Sequence, residues 1–71
     1  MKYAVVVEQG ETSFGAHVPD LLGCVAVAET RNEVLKLIQE AIQFHIEGLR
    51  AEGQRIPKPT SLCDYVQVKA A

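Results

Sequence analysis

From Thr30 to Gly53 the chain carries one unbroken helical signal, longer than any other patterned stretch in it. Thr30-Arg31-Asn32-Glu33 is a capping box. In such a box the threonine hydroxyl accepts from the backbone N–H three residues on, and the glutamate side chain reaches back to the cap. Gly53 supplies a left-handed residue to end the helix, while Arg50 and Arg55 complement the negative end of its dipole. The spacing predicts a helix over residues 31–52, roughly 33 Å long. No strand here can match that length, so the last helical turns should overhang the sheet they pack on.

The helix is also too apolar for a single sheet. At about 100° per residue, Val34, Leu35, Leu37, Ile38, Ala41, Ile42, Phe44, Ile46 and Leu49 make one continuous arc, interrupted only by His45. It spans roughly 200°, where about 100° suffices to face one sheet. Lys36, Gln39, Glu40, Gln43, Glu47 and Arg50 form the opposite, solvated side. The surplus predicts a second subunit. Leu37 and Phe44, about 20° apart at one edge of the arc, are the expected oligomer contacts. The alternative is a helix flank half covered by the Pro-rich linker.

Residues 3–8 are rich in β-branched residues and apolar on both alternating faces, which predicts a strand in the middle of a sheet covered on both sides. A turn at residues 9–12 and a second strand over residues 13–18 complete a hairpin. Pro19 and Gly23 bracket a loop, and residues 24–28 make a short third strand. After the helix, Ile56-Pro57-Lys58-Pro59 must be extended, and the alternation over residues 62–68 suits a last strand. The expected fold is α+β with order β-β-β-α-β: one small mixed sheet with a single long helix on one face.

Seventy-one residues fit one domain, expected to span 1–71. A core of that size rarely supplies more than about 3–5 kcal/mol, so oligomerisation is a common remedy. A hydrophobic content of 48% with 23% charged residues describes a packed chain, not a disordered one. The net charge of −2 gives no support to direct DNA or RNA binding through a basic surface. Cys24 and Cys63 match no zinc spacing and read as free thiols on strands, acting as small apolar residues, although one disulfide is arithmetically possible. The apolar run at residues 3–7 is too short for a signal-peptide core, and no stretch approaches the ~18 residues of a membrane span. The expectation is a cytoplasmic protein that binds no membrane.

His45 lies within the apolar arc and His17 on the second strand. A nucleophilic centre needs a Ser or Cys beside such a base and a third group to orient it, and no such signature surrounds Ser13, Cys24 or Cys63. Both histidines read better as packing or partly exposed residues. Neither a metal site nor a cofactor is expected, and the glycines are too scattered to cradle a phosphate.

Four motifs in order carry a family likeness: Val18-Pro19-Asp20-Leu21-Leu22-Gly23-Cys24, the Thr-x-x-Glu helix start, Glu40-Ala41-Ile42 at the helix centre, and Ile56-Pro57-Lys58-Pro59. With the strand at residues 3–8, this arrangement resembles the HicB-like antitoxin family over essentially the whole chain. The resemblance implies a partial ribonuclease H-like fold and a protein that masks a small, basic ribonuclease toxin, HicA-like, by covering its RNA-binding surface. Such masking requires complementary shape and charge, not catalysis. The expected partner-binding residues are Asp20, Leu21 and Leu22 in the loop and Pro57 and Lys58 at the helix exit, all read as exposed. The expected assembly is a homo-oligomer, a dimer or a tetramer.

Many family members add a C-terminal DNA-binding segment, and residues 62–71 carry no such pattern, so the expectation is a stand-alone domain without operator binding. The first alternative is an orphan oligomeric protein of the same fold, without a toxin, that binds another protein or ligand. The second is a reduced nuclease. A two-metal nuclease needs several carboxylates converging on ions about 3.5–4 Å apart. Here Glu8 and Asp64 are the only strand acids, and the first strand's centre is Val5-Val6-Val7.

Overall fold

The computed structural model describes residues 1–70. Three strands come first, β1 (Val6–Gln9), β2 (Phe14–His17) and β3 (Val25–Ala28), followed by one helix, α1 (Arg31–Ala51). Both strand pairs are antiparallel and β2 is central. The β1–β2 turn closes with the Gly10 N–H donating to the Ser13 carbonyl at 2.8 Å. After β2 the chain tightens around residues 18–24, where the Cys24 N–H donates to the Leu21 carbonyl at 3.1 Å and the Val18 N–H to the Cys24 carbonyl at 3.2 Å. Gly23 turns this loop at φ +80°, a conformation that side chains with a Cβ rarely adopt.

The register sorts the sheet into two faces, because residues directly opposite in an antiparallel pair share a face. Val7, Ala16 and Ala26 form one row, and Gln9, Phe14 and Ala28 another on the same side. The alanines keep this face shallow enough for α1 to lie against β2 and β3. Val34 and Ile38 of α1 are fully buried there with Leu21, Ala16, Val18 and Cys24. The opposite face carries Val6, His17 and Val25 in one row and Glu8, Gly15 and Val27 in the next. Among the described residues no helix packs on it, and Val25 and Val27 are both exposed while Val6 and His17 are half-buried.

The helix ends where its capping residues dictate. The Thr30 hydroxyl accepts from the Glu33 N–H at 3.1 Å and donates to the Glu33 carboxylate at 3.0 Å. Glu33 thus reaches the threonine hydroxyl. At the other end the Gly53 N–H donates to the Arg50 carbonyl and the Gln54 N–H to the Leu49 carbonyl, with Gly53 at φ +71°. This is the Schellman pairing, which satisfies two carbonyls that an unfinished last turn would leave open.

The α+β class and the order of three strands then helix agree with the expectation; two details differ. Residues 62–68 form no strand, so the sheet is wholly antiparallel, not mixed. They run past β1, where the Cys63 thiol lies 3.9 Å from the Val5 carbonyl, but an open groove of about 330 Å³ separates residues 5–7 from residues 62–65. Strand formation needs a ladder partner at ladder distance, which alternation alone cannot supply. For the same reason β1 sits at the edge of the sheet and not in its middle. Consecutive short turns make a meander of β1, β2 and β3, and the place beside β1 is left to the segment that stands off.

The result is a chain with much surface for its mass. Its accessible area is 6033 Å², whereas a compact monomer of 7.8 kDa would expose about 4,400 Å². The radius of gyration is 14.1 Å against about 11 Å for a compact chain of this length.

Candidate functional site

The loop between β2 and β3 and the segment after α1 meet at one place, and Asp20 joins them. Its carboxylate accepts four hydrogen bonds from two consecutive residues. The Thr60 N–H donates at 3.0 Å and the Ser61 N–H at 2.9 Å to one oxygen. The Ser61 hydroxyl donates at 2.8 Å and the Thr60 hydroxyl at 3.1 Å to the other. These donors, Ser61 foremost, favour the charged form and hold the Asp20 pKa below the usual carboxylate range. A second tether lies nearby in the chain: the Tyr3 hydroxyl donates to the Pro57 carbonyl. Residues 57–61 are thereby fastened to the loop and to the chain's start.

The five expected partner-binding residues separate into different environments. Asp20 is turned inward onto Thr60 and Ser61. Leu21 is 1% exposed and belongs to the core, so it does not present the exposed side chain expected of it. Its neighbour Leu22 is 96% exposed. Pro57 and Lys58 are exposed at the helix exit. Of the two expected oligomer contacts, Leu37 is 41% and Phe44 78% exposed, at the edge of the arc that the sheet leaves uncovered.

Two features escaped the sequence reading. Thr60 and Ser61 follow the Pro-rich exit immediately and offer four donors in two residues, a good match for a carboxylate. The exposure of Leu62, Tyr65, Val66 and Val68 beyond them is the other. Its signal was present as strand-like alternation without a partner.

The groups considered for chemistry lie apart. Cys24 is buried, and burial pushes its thiol pKa up, whereas Cys63 is exposed; both are free thiols. Cys63 is not on a strand, and Cys24 immediately precedes β3. His17 is on the uncovered sheet face and His45 half-buried on α1. Among the described residues no three His, Cys, Asp or Glu side chains converge to hold a metal ion, and no helix is long and apolar enough to cross a membrane. The arrangement supports binding through exposed apolar surface.

Comparisons with known proteins point in one direction. A family model described as the HicB_like antitoxin of bacterial toxin-antitoxin systems matches residues 3–70. An uncharacterized 14.9 kDa protein from the rep-hol intergenic region of Haemophilus phage HP1 is 32% identical over 93% of this chain, which spans only 50% of that relative. A UPF0150 protein of Thermoplasma acidophilum is 37% identical over 82% of this chain and 86% of its own length. A UPF0150 protein of a Synechocystis species is 39% identical over 79% of this chain and 72% of its own length. No solved structure matches the chain.

Proposed function

The chain belongs to the HicB-like antitoxin family of bacterial toxin-antitoxin systems, and on that footing we propose that it neutralises a small ribonuclease toxin, HicA-like, by covering the toxin's RNA-binding surface. Family membership implies a toxin partner in general terms. The observation that carries it is the family match across residues 3–70. The physical character of the surface supports it: a mildly acidic chain with exposed Leu22 beside the Asp20 tether suits a basic, partly apolar partner. The protein acts here as a non-enzymatic binding module and a homo-oligomer, with Leu37 and Phe44 among its self-contacts.

The test is coexpression with a short basic protein encoded beside it. The protein should restore growth that the toxin arrests, and the two should co-purify. Because Asp20 holds the Thr60–Ser61 segment, exchanging it would mix folding with binding, so the contact is better tested at Leu22 and Lys58. Leu22→Lys, which sets a like charge before a basic partner, and Lys58→Trp, which adds bulk at the contact, should each bind the toxin at least about tenfold more weakly in variants that keep their helicity, if these residues touch it. Unchanged affinity in both would remove this surface from the interface. A protein that binds no neighbouring toxin would favour the orphan reading.

A further inference from the structure

The segment after the Asp20 tether is a strand in pattern and in exposure, yet it has no ladder. No backbone–backbone hydrogen bond engages residues 62–70 among those described, and the Tyr65 N–H is held only by the neighbouring Asp64 side chain at 2.9 Å. Leu62, Tyr65, Val66 and Val68 are 93%, 95%, 83% and 77% exposed. Such an apolar edge is a template for another strand, and chains that leave it bare tend to associate through it. The tether matters here because it fixes where the segment starts: Thr60 and Ser61 are pinned to Asp20, so residues 62–68 begin their run past β1 at a set place.

We propose that residues 62–68 form an interchain strand, pairing antiparallel with the same segment of a second copy about a two-fold axis at Tyr65. A two-fold axis normal to a sheet must pass between a residue and its own copy, so the choices are few. Centring on Tyr65 sets Leu62 opposite Val68, Cys63 opposite Gln67 and Asp64 opposite Val66, with every pair on a common face. Centring on Asp64 would oppose two carboxylates, and centring on Val66 would exchange the Leu62–Val68 pair for Leu62–Ala70. Of these three registers, the one centred on Tyr65 alone both keeps the two carboxylates apart and pairs Leu62 with Val68.

Area supports the same occupant. The chain exposes about 1,600 Å² more than a compact monomer of its mass, and a standard interface takes about 800 Å² from each partner. One strand pair plus the uncovered helix edge can absorb that excess. The proposal deepens the homo-oligomer reading and rests on it, but needs no toxin.

Cross-linking tests the register directly. Opposite residues in an antiparallel pair have Cα atoms about 4.5–5.5 Å apart, inside the range a disulfide spans. Under mild oxidation the Gln67→Cys variant should form dimers through a bond between the new thiol and native Cys63 of the second copy, identified by peptide mass. The Tyr65→Cys variant, in a Cys63→Ala background, should link to itself, and Val66→Cys in that background should link far less. Replacing Tyr65 and Val66 together by proline removes a ladder donor whichever way the N–H groups alternate, and should weaken dimerisation roughly tenfold or more while helicity stays unchanged. A wild-type protein that sediments as a monomer at every accessible concentration overturns both the oligomer reading and this strand. An oligomer that persists with full affinity in the double-proline variant, and gives no bond between residues 63 and 67, overturns the strand alone.

Discussion

The first half of α1 and the second half of α1 meet different surroundings, although the same kind of apolar arc runs through both. Val34 and Ile38 are fully buried against β2, β3 and the loop residue Leu21. One and two turns later, Ala41 and Ile42 only border that core, and Phe44 is 78% exposed. The sheet, with strands of four residues each, ends before the helix does. What separates the halves is what each has been given to pack against. The first is held by its own chain, and the second, with residues 62–68, leaves Phe44, Leu62, Tyr65, Val66 and Val68 exposed.

The largest effect expected from that contrast is at Ile38. Ile38→Ala should lose about 2–4 kcal/mol, a full-burial cost that rivals the whole stability of a core this small. Urea or thermal melts should show the midpoint sharply lowered, with the folded state left marginal at ordinary temperature. A loss below about 1 kcal/mol would mean that the core is not where the burial places it. The matched experiment on the uncovered edge of the same helix is Leu37→Glu with Phe44→Glu. Measured on dilute protein, these exposed positions should shift stability by no more than about 0.5 kcal/mol each. Association should weaken by at least about tenfold in sedimentation. If the double variant instead unfolds as Ile38→Ala does, the buried face and the uncovered edge of α1 are not energetically distinct.

Next in size is the tether. Asp20→Asn keeps the shape of the side chain but removes its charge and leaves an amide N–H₂ facing donors. Amide exchange at Thr60 and Ser61 should speed up strongly while exchange in α1 around Val34 stays slow. Acid should do the same without mutation. Because the hydrogen bonds lower the Asp20 pKa in the folded state, its ionised form favours the fastened segment. That contribution is complete above the ordinary carboxylate range near pH 4 and is lost as pH falls through the lowered value. An acid titration followed by Thr60 and Ser61 amide shifts should show a transition below about pH 4, absent in Asp20→Asn. A transition at or above the ordinary carboxylate value would contradict the geometry.

How far the sequence could be read divides along the same line. The helix and its ends were legible because capping is local: Thr30, Glu33 and Gly53 act on groups within a few residues. The three strands were legible for similar reasons, being joined by short turns. The position of β1 was not, since apolarity on both faces suits a central strand and equally an edge strand awaiting a neighbour. Residues 62–68 have a strand's alternation, but a ladder depends on a partner that no local pattern specifies. Leu21 and Leu22 show the limit most sharply. They are identical neighbours in one loop, 1% and 96% exposed, and only the turn that Gly23 completes tells them apart. Asp20 looked like a surface charge because its four donors lie some forty residues away. The family motifs were readable along the whole chain, whereas the contact residues within them depended on these long-range pairings.

The two cysteines give the smallest effect and divide the molecule the same way. Cys24 lies in the core at 4% exposure, and burial raises its thiol pKa, so the reactive thiolate is scarce and shielded. Cys63 is exposed on the unpaired segment. Iodoacetamide added to dilute native protein should therefore modify Cys63 alone, with Cys24 reacting only once urea opens the core. Cys63→Ala should change stability by less than about 0.5 kcal/mol, and Cys24→Ala by about 1 kcal/mol, the cost of a small cavity. The concentration dependence sharpens the point: if residues 62–68 pair between copies, Cys63 labelling should slow as the protein is concentrated, while Cys24 stays protected throughout. Equal labelling of both thiols in the folded protein would show that the core is not closed around Cys24, and the contrast between the two regions would fail at its simplest chemical test.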